Sequence, residues 1–314
     1  QVICTHSGTF HADESLAVFM LKKLPVYADA KIIRTRDSTV IDKADIVVDV
    51  GGTYDHANHR YDHHQRGFME TFDSNYDIKL SSAGLIYKHY GKQVIQSILK
   101  WDSNHPQLNF IYQKIYDDLI LMFDGVDNGV SQYPKDIDPK YSGIFVSLIV
   151  DGTCISARVS RLNPNWNETT NDEVLFNQFL KAIEITGEEL VSKVNYVALV
   201  WLPARDIVVE ALESRFKVHE SGKILILPRY CPWQSHLFEL EELKGLKESE
   251  LPLYVLYEDS SKAWRIQAVA ESPGSFASRK ALPEPWRGVR DDALSTLTKV
   301  PDCIFIHASG FIGG

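Results

Sequence analysis

Short apolar runs and helical stripes alternate along the first fifty residues. VICTH (2–6) is an apolar, β-branched run that predicts a strand. HADESLAVFMLKKL (11–24) places Leu16, Phe19, Met20 and Leu24 at helical spacing, and Pro25 ends it. KIIRTR (31–36) and DIVVDV (45–50) predict two more strands, the latter continuous enough to be buried on both faces. Strand, helix, strand and strand, closed by Gly51–Gly52, predict an α/β sheet that delivers residues to one carboxyl edge.

Beyond it, SSAGLIYKHYGKQVIQSIL (81–99) predicts a helix capped by Ser81 or Ser82, and IYQKIYDDLILMFDGVDNG (111–129) one that stops at Asp-Asn-Gly. IFVSLIV (144–150) is strand-sized. Residues 172–201 carry the period of one long helix after the Asn-rich segment 163–172, and LPARDIVVEALESRF (202–216) restarts a helix at Pro203. KILILP, LPLYVLYED and WRIQAVA then predict strands of a smaller α+β part. The expected division is a catalytic domain over 1–168, a helical connector over 169–202 and a C-terminal domain over 203–314.

A chain of 314 residues, 44% hydrophobic, has the material for two globular domains, and no apolar run of 18 or more residues predicts a membrane span. Four widely spaced cysteines without a CxxC pair predict reduced thiols of an intracellular protein. The net charge of −9 argues against a broad nucleic-acid-binding face. Residues 279–290, however, hold Arg279, Lys280, Arg287 and Arg290 against Glu284 alone, so a phosphodiester would be held at a site.

Six of the eleven histidines fall in the first 64 residues. His6, His11, Asp13, Asp49, Asp62, His63, His64, Asp124 and Asp127 are the polar residues expected at the carboxyl edge. A mixed His/Asp set without thiolate predicts Mn²⁺, Mg²⁺ or Zn²⁺, with Mn²⁺ suiting the nitrogen share better than Mg²⁺. Asp49 ends a buried strand, where a carboxylate needs a partner or a metal. A strand over 60–64 would send His63 and His64 to opposite faces. Taken alone, Asp124 reads as exposed, Asp127 as a helix-end turn residue, and His56 and His59 as surface. The ordered set HSGTFHAD, VVDVGG, YDHH and DGVDNG predicts metal-dependent hydrolase chemistry.

That order resembles the DHH phosphoesterase superfamily of RecJ-type exonucleases, short-oligoribonucleotide nucleases and manganese pyrophosphatases. GTFHADESLA, RYDHHQRGF, LNPNWNE, WLPAR, LPRYCPWQSHLFELE, WRIQAV, LPEPWRG and HASGFIGG resemble, more closely, the melanocyte proliferating gene family within it, across essentially the whole chain. The resemblance implies a DHH-type parallel-sheet domain joined by a long helix to a smaller substrate-binding domain, with the active site in the interdomain cleft. It also implies a 3′→5′ RNA exonuclease of nucleus and mitochondrion that releases nucleoside monophosphates from single-stranded RNA.

Carried over by motif position, the resemblance implies two divalent cations held by His6, His11, Asp13, Asp49, His63 and Asp127, with Asp49 bridging. His64, facing away from the ligands, would approach the scissile phosphate, and Asp62 would orient its neighbours. The sequence departs from the commoner superfamily opening, which has carboxylates at the positions of both His11 and Asp13. Water between the two cations would attack phosphorus in line. The superfamily's second domain holds the substrate, and the candidates for its contacts in this sequence are Arg205, Arg229, His236, Arg279, Lys280, His307 and the backbone at Gly310 and Gly313. The aromatics Trp233, Trp286, Tyr230 and Phe276 suit base stacking. The same metals with a smaller clamp would serve pyrophosphate, polyphosphate or a dinucleotide, and a metal-stabilised binding protein without turnover is the reading outside the enzymes.

Overall fold

The computed structural model describes residues 1–131 and 153–314; the run IFVSLIV (144–150) lies outside them. The chain divides into two compact units, Gln1–Val197 and Ala198–Gly314.

The first unit is a mixed α/β structure on a five-stranded sheet. In chain order it contains β1 (Val2–Thr5), α1 (Ala12–Lys22), β2 (Lys31–Arg34), α2 (Ser38–Ile41), β3 (Ile46–Val48), β4 (Tyr54–Asp55) and β5 (Arg60–Tyr61). Helices α3 (Ser82–Leu99), α4 (Leu108–Ile115), α5 (Leu121–Asp127), α6 (Ile155–Ser160) and α7 (Asp172–Asn195) follow. The strand order is β2-β1-β3-β5-β4, parallel except for β4, which runs antiparallel to β5. Every residue of β3 is buried. Val47 packs with Ile41 and Ala44 around α2, and α1 also contacts the strand, so the apolar run reflects cover from both sides.

Helix α1 packs on α3 and α7. The close approach to α7 depends on Gly187, where a Cβ would sit 2.1 Å from the Phe19 ring. Ser81 caps α3 by accepting from Gly84 N, as its position before the helix predicts. The helix expected over 111–129 begins earlier, at Leu108, and passes through a π-helical turn at Tyr116–Ile120 before α5. Three parallel strands therefore end at one edge: β1 just before His6, β3 just before Asp49 and β5 just before Asp62.

In the second unit, α8 (Leu202–Val218) and α9 (Gln234–Leu243) are joined by β6 (Ile224–Ile226), β7 (Tyr254–Glu258) and β8 (Trp264–Ala268). Helix α10 (Asp291–Thr298) and β9 (Ile312–Gly313) complete it. The sheet order is β6-β7-β8-β9, with only β6 and β7 parallel. Val208, Leu212, Leu225, Trp233, Leu237 and Val255 form its main core. Among the described residues no helix is long and apolar enough to cross a membrane.

Candidate metal centre

The sheet edge gathers its polar groups around Asp49. This residue has φ +59°, a left-handed conformation that costs a non-glycine residue roughly 1–2 kcal/mol. Its N–H donates to Tyr61 O at 3.0 Å, which ties the turn to β5. The bend places the two carboxylate oxygens toward two different histidines. Oδ2 is 3.4 Å from His6 Nε2, and Oδ1 is 3.5 Å from His63 Nε2. Ser82 Oγ lies 3.1 Å from Oδ1 and 3.0 Å from Tyr61 O, so its single proton is shared between them. Backbone strain at a buried carboxylate is the kind of feature that functional sites retain.

His6 follows β1 directly, and its Nδ1 lies 3.2 Å from Ser7 O. A carbonyl only accepts, so Nδ1 carries the proton and Nε2 is the nitrogen turned to the carboxylates. Burial opposes the charged ring, yet hydrogen bonds to Asp49 and Glu14 raise its pKa to about 10. His63 behaves alike. Burial lowers its pKa, and the facing carboxylates of Asp127 and Asp49 raise it to about 10. Its Nε2 is 3.0 Å from Asp127 Oδ2 without the alignment of a hydrogen bond.

Asp13 enters from the first turn of α1. Oδ2 and Oδ1 accept from the backbone N–H groups of Ser82 and Ala83 at 3.0 and 2.8 Å, at the positive end of α3. Burial, followed by the like charges of Asp127 and Asp49, nevertheless pushes its carboxyl well above the usual range. His11 is the exposed N-cap of α1, with its ring 5.9 Å from that of His6. Asp62 Oδ2 accepts from Gly52 N at 2.6 Å, and Oδ1 holds His64 Nδ1 at 2.6 Å.

Two expectations need correction. Strand β5 stops at Tyr61, so His63 and His64 escape strand alternation, and His64 Nδ1 lies 3.6 Å from the same Asp49 oxygen that His63 faces. Asp124 is fully buried rather than exposed, and accepts from Ser81 N, Ser81 Oγ and Tyr116 OH, each at 2.8 Å. It fastens the start of α3, while Asp127 one turn later reaches His63.

Among the described residues, three groups of side chains bring their donor atoms within 4.8 Å of one another: His6, His11 and Glu14; Asp49, His63 and His64; and Asp13, His63 and Asp127. Buried carboxylates packed this closely require positive charge between them. Oxygen with imidazole nitrogen is a donor set for a divalent cation, so the residues fit a metal ion. The adjoining cavity, about 710 Å³, is lined by His6, His11, Asp13, Asp49, Asp62, His64 and Asp127. Arg36, Ser156 and Ser160 also line it, and among the described lining residues Arg36 is the only Lys or Arg. Sequence reading missed Glu14, Arg36 and Ser82. Glu14 directly follows the HAD motif; Ser82 is marked only as a candidate helix cap, and nothing in the sequence marks Arg36.

The residues expected as substrate contacts in the second unit have varied surroundings. Arg279 donates to both oxygens of Glu241 at 2.7 Å, with the pair largely buried. His236 is fully buried beside Trp201, with Nε2 2.7 Å from Trp201 O. Arg205 pairs with Glu239 at 2.8 Å. Arg229 and Lys280 are exposed. His307 lines a second cavity of about 700 Å³ with Trp233, Phe238, Phe276 and Phe311. Gly310 has φ +74°. Gly313 packs so closely that a Cβ would lie 2.2 Å from Ile306 Cδ1.

A parallel sheet carrying a His–carboxylate cluster at its carboxyl edge defines a candidate divalent-cation site. The family model MYG1_exonuc, described as an uncharacterised protein family (UPF0160), matches residues 2–314. The chain belongs to this MYG1 family, as its motifs predict. It is 52% identical over 313 residues to the MYG1 protein of Dictyostelium discoideum, covering 99% of this chain and 91% of that one. It is 46% identical over 318 residues to the MYG1 exonuclease of Homo sapiens, covering 99% and 81%. Among solved structures, RecJ in complex with Mn²⁺ from Thermus thermophilus matches with 13% identity and a TM-score of 0.26, over 100% of this chain but about half (49%) of that one. A superposition that loose carries no argument for fold or site.

Proposed function

We propose that the protein is a metal-dependent phosphodiesterase of the DHH type, acting as a 3′→5′ exoribonuclease that releases nucleoside monophosphates. The observation that carries this reading is the split of Asp49 between His6 and His63, the posture of a carboxylate bridging two cations. Membership of a family whose mammalian members are named exonucleases supports the substrate class. Bound divalent cations, with Mn²⁺ favoured, would supply activated water and neutralise phosphoryl charge.

The chain's own groups divide the remaining work. His6, His11, Asp13, Asp49, His63 and Asp127 would hold the cations. Asp62 fixes the His64 ring through Nδ1, leaving Nε2 to meet the phosphoryl group or leaving oxygen. Arg36 offers a bidentate donor to phosphate at the rim of the cavity. The second unit is the substrate-holding part, with His307 beside an aromatic-lined cavity suited to a base.

The test is incubation of the full chain with 5′-labelled single-stranded RNA, with and without Mn²⁺, and identification of the released nucleotide. A Mn²⁺-dependent ladder shortening from the 3′ end, with monophosphates released, is expected. RNA left intact while pyrophosphate or a dinucleotide is hydrolysed would keep the metal site and discard the polymer as substrate.

A further inference from the structure

Glu14 is a carboxylate of this region to which neither motif nor resemblance assigns a role. It sits at the third position of α1, fully buried, directly after Asp13. Its Oε1 accepts from His11 N at 2.8 Å, closing a capping box, and lies 2.9 Å from His6 Nε2. Its Oε2 is buried with no hydrogen-bond partner among the described residues. A capping role alone does not explain the position, since a capping glutamate works as well at the surface, where nothing opposes its charge.

The His6 ring makes the point sharper. Because Nδ1 is committed to Ser7 O, Nε2 in the neutral ring presents a lone pair, and it faces Glu14 at 2.9 Å and Asp49 at 3.4 Å. Three such atoms repel unless positive charge, a proton on Nε2 or a metal cation, lies among them. Two metal–ligand bonds of about 2.1 Å meeting at 90–109° separate their donor atoms by roughly 3.0–3.4 Å. The His6–Glu14 and His6–Asp49 separations match that spacing, as do the His63–Asp127 and His63–Asp49 separations of 3.0 and 3.5 Å. A backbone carbonyl on the far nitrogen is also the usual support of a metal-ligating histidine.

We propose that Glu14 is a direct metal ligand, joining His6, His11 and Asp49 around one divalent cation, while Asp13, His63 and Asp127 join Asp49 around the other. The inference rests on the metal-dependent reading above and adds to it a carboxylate that balances the histidine at position 11. Where a carboxylate at 11 would supply negative charge, Glu14 supplies it three residues later on the same helix turn.

The experiment is Mn²⁺ titration of the full chain by calorimetry, with bound Mn²⁺ counted by electron paramagnetic resonance, for the unmodified protein, Glu14→Gln and Asp49→Asn. Glutamine keeps the capping hydrogen bond, so the fold should survive. Glu14→Gln is expected to lose one Mn²⁺ per chain, or to bind it at least about 100-fold more weakly. Asp49→Asn is expected to impair both sites. Unchanged stoichiometry and affinity in Glu14→Gln, with the unmodified chain binding Mn²⁺, would overturn the Glu14 assignment alone. An unmodified chain that binds no divalent cation would overturn the functional reading as well. Anomalous diffraction from the unmodified protein with Mn²⁺ needs no variant: a peak within about 2.3 Å of Glu14 Oε1 is expected. A peak near His6 and Asp49 but beyond about 3.5 Å from Glu14 would leave Glu14 as a support of His6 only.

Discussion

Asp62 holds His64 by a single oxygen. Oδ1 lies 2.6 Å from the ring Nδ1 and also accepts from His64 N at 3.1 Å, so the ring is fixed relative to its own backbone. The hydrogen bond to Asp62 is the main cause that raises the His64 pKa above its ordinary value. Replacing Asp62 by Asn should bring that pKa back down and release the ring. The expected result is a loss of roughly 10–100-fold in kcat with little change in KM. Steady-state kinetics and an NMR titration of the histidine check it; an unmoved His64 pKa would remove Asp62 as its cause.

Two glycines near the site should respond oppositely to alanine. At Gly84 a Cβ would lie 2.1 Å from Asp124 Oδ1, a buried carboxylate held by three donors that cannot retreat. Gly84→Ala should destabilise by at least about 2 kcal/mol. At Gly125 the nearest atom is Ile78 Cδ1 at 3.8 Å, so Gly125→Ala should be neutral or stabilising by up to about 1 kcal/mol. Urea denaturation of the two variants, with equal losses in both, would refute the distinction.

Arg279 and Lys280 are neighbours with opposite circumstances. The Arg279–Glu241 pair is largely buried and bidentate, and Arg279 also donates to Pro252 O at 3.0 Å. Arg279→Ala leaves Glu241 charged and buried, and should destabilise by about 3–5 kcal/mol. Lys280→Ala at an exposed position should shift stability by less than about 0.5 kcal/mol. Thermal denaturation separates them. If Arg279→Ala leaves stability intact and changes only KM, the arginine is a substrate contact.

The pH dependence of stability should carry a signature of His89. Burial, with the neighbouring His56 and Lys88, lowers its pKa to about 4. Its ring stacks on His56 at 3.7 Å, and its Nε2 lies 2.8 Å from Tyr54 OH. Between pH 4 and the ordinary value of 6.5 the unfolded chain binds a proton that the folded chain refuses, so this contribution is full above 6.5 and is lost as pH falls toward 4. The gap in urea midpoint between wild type and His89→Asn should therefore narrow or invert from pH 7 to pH 4.5. A constant gap would mean that His89 does not titrate in this way.

Much of the site was legible because sequence order and sheet geometry agree. VICTH, DIVVDV and RYDHH each end a strand, and parallel strands bring their carboxyl ends to one edge, so His6, Asp49 and His63 converge without any knowledge of contacts. Helix periodicity likewise placed α7, which buries one stripe, and α1, which is buried on nearly every side between α3, α7 and the sheet.

What the tertiary structure alone decided is which donor each charged group meets. Asp124 and Asp127 share a helix face, yet one holds Ser81, the cap of α3, across 43 residues of chain and the other reaches His63. Asp13 finds its donors 69 and 70 residues away, at Ser82 and Ala83. Glu14, which the sequence does not single out, lies 2.9 Å from His6, and Arg279, expected as a substrate contact, is paired with Glu241. Periodicity in a sequence reports which face a side chain occupies, because backbone geometry is local. Burial of a charge is settled by partners from distant segments, and no local pattern encodes them.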